Sequence, residues 1–121
     1  MSYVDGYLLP IPKKGLKEYQ KMANKAGKIW KEHGALDYRE CVGEDLKIKG
    51  MASFTKVSGA KANEIVIFAY VLFKSKKHRD AVNAKVMKDP RIQEMCDSHT
   101  KMPFDVKRMA YGGFKTIVNL K

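Results

Sequence analysis

The chain has 121 residues, 45% of them hydrophobic and 31% charged, which bounds it to one folded domain and excludes a disordered protein. Nowhere do apolar residues run for the roughly 18 positions that a membrane span requires. Twenty-four Lys and Arg against 13 Asp and Glu give a formal net charge of +11, a field that attracts polyanions or small anionic substrates.

Most of the excess is Lys. Only Arg39, Arg79, Arg91 and Arg108 offer the planar fork that specific phosphate and base recognition leans on, so the charge equally fits a solvated surface. Residues 1–6 lack the basic-then-apolar order of a secretory signal, and a cytoplasmic protein is expected. Cys41 and Cys96 lie far apart outside any CxxC pair and read as reduced thiols.

Tyr3 to Ile11, aromatic and β-branched at its start and closed by Pro10 and Pro12, predicts a first strand. Gly6 within it marks a bulge or a close backbone approach. Lys13 to His33 is the clearest helix. Leu16, Tyr19, Met22, Ala23, Ala26, Ile29 and Trp30 share one face at helical spacing. Lys14, Lys17, Lys21, Lys25 and Lys28 share the other, either as a solvated face or as an electrostatic docking surface for nucleic acid or an acidic partner. Gly34 ends the helix.

Ala35 to Val42 predicts a second strand. Residues 44–63 show no sustained period and read as a loop with a short helical turn near Ser53 to Val57; a loop of that length is more often functional than accidental. Glu64 to Phe73 is apolar on both faces, as a central strand covered on both sides would be. Ser75 caps a second helix running to about Met87, and Asp89-Pro90 starts a shorter one to about Cys96. A polar loop over 97–101 and a turn at Met102-Pro103 lead to a last strand, Lys107 to Val118.

The order β-α-β-loop-β-α-α-β defines an α+β chain of the ferredoxin-like, split βαβ kind, an antiparallel sheet with helices on one face. The other face also reads as apolar, because the third strand does not alternate. A second copy of the chain is the economical cover, so a homodimer closed through its sheets is expected.

Four segments carry a family resemblance: Tyr3-Val4-Asp5-Gly6; Gly34-Ala35-Leu36 with Glu40-Cys41; Ser75-Lys76 through Arg79-Asp80, Asn83, Lys85, Met87 and Asp89-Pro90-Arg91; and Met102-Pro103-Phe104-Asp105, Lys107-Arg108-Met109 and Tyr111-Gly112-Gly113-Phe114. Together they resemble the YbaA-like family of small bacterial proteins of unknown function. The likeness spans nearly the whole chain and is poorest over 44–63. It implies a dimeric α/β-barrel, a superfamily that includes cofactor-independent monooxygenases, isomerases, haem-degrading enzymes and simple ligand binders, so the fold does not choose a reaction. It brings no established catalytic residue.

In such a fold the ligand pocket lies between the concave sheet face and the helices. Asp5 and Tyr7, two apart on one strand, share a face. The expected constellation is Asp5 or Glu40 as general base, Arg108 as anion clamp, and Tyr7 or Tyr111 as hydrogen-bond donor, with Arg79 and Asp105 as further binding candidates. The competing reading is a buried ion pair joining Asp5 or Asp105 to Arg79 or Arg108. His78 reads as a surface histidine, His33 as a helix-end cation and Cys41 as a core thiol. Cys96-Asp97-Ser98-His99 is half a zinc motif without a second pair, and no metal or cofactor is expected. Gly112-Gly113 lacks the context of a phosphate loop and reads as a bulge or a close approach across the dimer. The function expected is small-molecule binding, with or without cofactor-independent turnover on a small anionic metabolite. The alternative is nucleic-acid association through the lysine face.

Overall fold

The computed structural model describes residues 1–97 and 103–120. Its strands are β1 (Tyr3–Pro12), β2 (Asp37–Val42), β3 (Glu64–Phe73) and β4 (Ala110–Lys115), and its helices are α1 (Leu16–Glu32), α2 (Phe54–Ser58), α3 (Lys76–Lys88) and α4 (Pro90–Asp97). The strands form one open antiparallel sheet in the order β2-β3-β1-β4. The chain is therefore α+β, as the pattern predicts.

β1 carries two prolines yet sits inside the sheet. β4 pairs with it only from Tyr3 to Leu8, so Pro10 and Pro12 fall where β1 has a neighbour on one side alone and the missing N–H groups are harmless. Pairing is continuous past Gly6, Gly112 and Gly113, so the expected bulges are absent. The close approaches are real and lie within the chain. The Phe114 ring comes within 3.1 Å of where a Gly6 Cβ would stand, and a Cβ on Gly113 would run into the Arg79 guanidinium and the Tyr3 ring.

Alternation sorts the strand residues onto two faces. Toward α1, α3 and α4 point Asp5, Leu9, Ile11, Ile67, Val71 and Phe73, all buried. Ile29, Val82, Val86 and Ile92 meet them from the helices. Phe73 is 0% exposed, and burying such a side chain stabilises by about 1.5–3 kcal/mol. The other face holds Val4, Leu8, Phe68, Tyr70, Leu72 and Phe114, with Phe68 48% and Phe114 62% exposed. α2, capped by Ser53 Oγ accepting from the Thr55 N–H at 3.1 Å, lays Phe54 edge-on against Phe68 there.

Several boundaries differ from expectation for local reasons. Lys13–Gly15 is a single 3₁₀ turn ahead of α1. β2 starts at Asp37, because the Ala35 N–H returns to the Trp30 carbonyl and closes the helix end. β4 is shorter than Lys107 to Val118, because Asp105 caps a 3₁₀ turn at Val106–Arg108 first. Ser75 caps α3 through the His78 N–H, and the His78 ring accepts from the Lys74 N–H, so His78 is tied into the helix start. No described helix is long and apolar enough to cross a membrane. Part of the 97–101 loop, the Met102 turn, and Ser98 and His99 of the half zinc motif lie outside the described residues.

Candidate functional site

A cavity of about 420 Å³ lies between the sheet and the helices, within the size range of small-molecule pockets. Apolar side chains such as Leu9, Met22, Ala26 and Ile92 make most of its wall, and Glu40 is the only charged residue among the described lining. β2 places Tyr38 and Glu40 two apart on the helix-side face, and α1 brings Tyr19 over them. Tyr19 Oη donates to Glu40 Oε1, and Tyr38 Oη donates to Oε2 at 2.6 Å. Each carboxylate oxygen thus has its own hydroxyl.

Burial is the first cause that pushes the Tyr19 and Tyr38 phenols well above their ordinary range, and Glu40 pushes further in the same direction. Tyr7, on β1 in the same cavity, is raised by burial and then by Asp5. All three remain protonated donors at neutral pH. Tyr38 stands where it does because residue 27 has no side chain: a Cβ there would lie 2.7 Å from the Tyr38 ring.

A second polar cluster adjoins the cavity. Asp5 is 0% exposed. Arg79 Nε stands 3.1 Å from Asp5 Oδ1, but the two are not aligned for a hydrogen bond, so the attraction between them is that of charges. Asn83 Nδ2 and Tyr111 Oη each donate to Asp5 Oδ2 at 3.2 Å. Asn83 Oδ1 accepts from Trp30 Nε1 at 3.1 Å, which ties the cluster to the cavity wall. Arg79 donates to Tyr3 Oη at 3.3 Å and lies over its ring. Burial works against the Arg79 charge, but Asp5 and the surrounding oxygens outweigh it and hold its pKa above the ordinary value.

The structure therefore joins Asp5, Arg79 and Tyr111 in one network and puts Tyr7 and Glu40 in the cavity. It separates Arg108 and Asp105 from both. Arg108 donates to both Glu64 oxygens, at 2.7 and 2.9 Å, and to the Gly59 carbonyl at 2.8 Å. Glu64 pairs with Pro12, about 23 Å along β1 from Asp5 at the usual strand rise. The expected clamp beside Asp5 or Glu40 is thus corrected: Arg108 fastens the start of β4 to the start of β3. Asp105 is exposed and accepts from the Lys107 N–H as the cap of its turn. Of the pairings left open between Asp5 or Asp105 and Arg79 or Arg108, Asp5–Arg79 is the one that forms. Cys41 is exposed on the outer sheet face and is not a core thiol. His33 bonds Asp89 at 2.8 Å.

Arg108 and the Lys61 N–H hold the Glu64 carboxyl down at about 2, from an ordinary 4.5. A depressed folded-state pKa contributes stability that is complete above pH 4.5 and is lost as the pH falls toward 2. Glu64→Gln is expected to remove that loss. Urea midpoints measured across this window should fall less steeply for the variant than for the parent.

Beside the cavity, between α1 and β2, runs a groove of about 870 Å³ edged by Lys17, Lys21, Lys28 and Lys31. Lys14 and Lys25 are exposed but do not line it, so the lysine face is split. Tyr19, Tyr38, Trp30 and Asn83 are polar site residues that the sequence alone does not single out. The Tyr38-x-Glu40 spacing, the same as Asp5-x-Tyr7, is the signal that places Tyr38 beside Glu40.

Residues 2–106 match the family described as "Protein of unknown function (DUF1428)". The chain is 42% identical over 119 residues to "Uncharacterized protein YbaA" of Escherichia coli strain K12, covering 98% of this chain and 99% of that one. The YbaA protein of Shigella flexneri matches to the same extent. The chain belongs to the DUF1428 family, whose function is unknown. Among solved structures it is similar in fold to "De novo designed protein Foldit4", with a TM-score of 0.51 at 7% identity, covering 97% of this chain and 100% of that one.

Proposed function

We propose that this chain binds a small molecule in the sheet–helix cavity, as a cytoplasmic homodimer of the ferredoxin-like, dimeric α/β-barrel type. The observation that carries the reading is Glu40, whose two oxygens are each held by a tyrosine hydroxyl at the edge of an otherwise apolar cavity. A carboxylate so placed accepts a hydrogen bond, or a proton, from a ligand O–H or acidic C–H. Tyr7 supplies a donor to the same ligand, while Tyr19 and Tyr38 spend their hydroxyl protons on Glu40 and offer only acceptor oxygens. Chemistry at this site, in this reading, uses side chains alone. The strand order supports the ferredoxin-like assignment, and the apolar outer sheet face supports the dimer. The unpaired thiols of Cys41 and Cys96 support a reducing compartment.

Fluorescent N-phenylnaphthylamine is the probe for the cavity, and Trp30, the single tryptophan, lies in its wall. The probe is expected to bind and to be excluded by Ala26→Phe. Naphthol should displace it better than naphthalene, and Glu40→Gln should cost naphthol about 10–100-fold while leaving naphthalene unchanged, the range for a hydrogen bond to a charged group. Equal displacement by both in the parent protein would remove Glu40 from the site. Probe binding insensitive to Ala26→Phe would remove the cavity.

A second reading rests on the lysine-edged groove, which suits the phosphate backbone of a nucleic acid. Its signature is affinity that falls steeply with salt.

A further inference from the structure

We infer that the ligand of this cavity is an amphiphilic anion: an apolar body inside the cavity and a carboxylate or similar acid group in the adjoining lysine groove. The inference rests on the cavity reading and adds the substrate class to it. Three observations carry it.

The first is adjacency. Ala23, Tyr38 and Glu40 line both spaces, so the hydroxyl-held carboxylate stands at the boundary between cavity and groove. A molecule that fills the cavity and extends past this boundary emerges among lysines. The second is the absence of any cation among the described residues of the cavity. Its described lining offers Glu40 and tyrosine hydroxyls but no Lys or Arg, so an acid group would be uncompensated inside and must sit outside. Arg79 is committed to Asp5 and Arg108 to Glu64. The third is the sign of the groove. Lys17, Lys21, Lys28 and Lys31 face Glu32 and Glu40 there. Glu32 is engaged by Arg91 at 2.6 Å, which leaves Glu40, held by two neutral tyrosine hydroxyls, as one carboxylate against four lysines. The lysine ammonium groups are left as the dominant charge. Lys31 donates to the Leu36 carbonyl at 2.8 Å, which fixes it at the groove's far end.

The geometry orders the ligand. Its acid group meets Lys17, Lys21 and Lys28; the atoms next to that group pass Glu40 and Tyr38; its tail lies against Leu9, Met22 and Ile92. An acidic hydrogen close to the acid group is therefore the one Glu40 faces.

The test displaces N-phenylnaphthylamine with three ligands of one chain length and different heads: decanoate, decanol and decyltrimethylammonium. Decanoate is expected to displace the probe at about tenfold lower concentration than the other two, the sum of a few exposed charge contacts. Its advantage should shrink as salt is raised and vanish in Lys17→Glu/Lys28→Glu. The exposed positions of both lysines keep that variant folded, and Lys17→Gln/Lys28→Gln should give an intermediate result. Equal displacement by all three heads, unchanged in the lysine variants, overturns the inference and leaves the cavity reading standing. Probe binding that Ala26→Phe does not alter overturns both.

Discussion

Replacing Arg79 with Leu is expected to destabilise the fold by about 3–5 kcal/mol, the usual result of removing one partner of a buried ion pair. Asp5, the third residue of β1, is 0% exposed, with β3 on one side and β4 on the other. Without Arg79 its remaining contacts are the two neutral donors, Asn83 and Tyr111, both on one oxygen. Leu also removes the cover over Tyr3 and leaves empty the space that Gly113 keeps open. The ion pair between Arg79 and Asp80 lies at the surface, so its removal adds little. Removing the second charge as well, in Asp5→Asn/Arg79→Leu, should recover a large part of the loss, because the cost lies in the unpaired ion and not in the missing attraction. Urea unfolding of the parent and both variants at neutral pH decides it. A loss below about 1 kcal/mol for the single variant, or a double variant no better than the single, would show that the pair does not anchor the sheet.

That pair shows how far the residues can be read without the structure. Asp5 and Arg79 each stand out in the sequence, and pairing them is one of the readings it leaves open. Which arginine takes the aspartate depends on a separation of 74 residues closing across α3, and no local pattern fixes that. Arg108 follows the opposite course. Its nearness to Tyr111 in sequence suggests the cavity, but the 3₁₀ turn capped by Asp105 redirects it to Glu64 at the far end of β1. The strands and helices themselves are legible because their periods are clear: β3 starts and ends where its apolar run does, and α3 begins at its serine cap. The polar part of the cavity is legible only in fragments. Tyr19 falls among core residues on a helical face, and its hydroxyl reaches Glu40 only because α1 crosses β2 at that height. Tyr38 needs a missing side chain on α1 to lie flat, and a glycine in mid-helix gives no sign of which ring it receives.

Phe68→Asp is expected to convert the proposed dimer to monomer, weakening association at least 100-fold. The outer face of the sheet is apolar at its centre. Its strand positions carry two acids, Asp37 and Glu64, one base, Arg39, and no lysine. On a chain of net charge +11 that is the surface through which two copies approach with the least repulsion. Asp37 and Arg39 engage Tyr70 beside them, and Glu64 is held by Arg108, so these charges are partly met within the chain. Phe68 lies on the central β3 and keeps 48% of its surface exposed despite Phe54, an aromatic anchor without enough cover of its own. A two-fold interface contains every substitution twice, so two carboxylates would be desolvated. At about 2 kcal/mol or more for each lost aromatic anchor, the change exceeds two decades in the association constant. Phe114→Asp, on β4 at the edge of the same face, should act in the same direction and more weakly. Sedimentation equilibrium measures both, with circular dichroism checking that the monomer is folded. A parent protein that is monomeric at micromolar concentration, or a Phe68→Asp variant that stays dimeric, would assign this face to something other than a second copy.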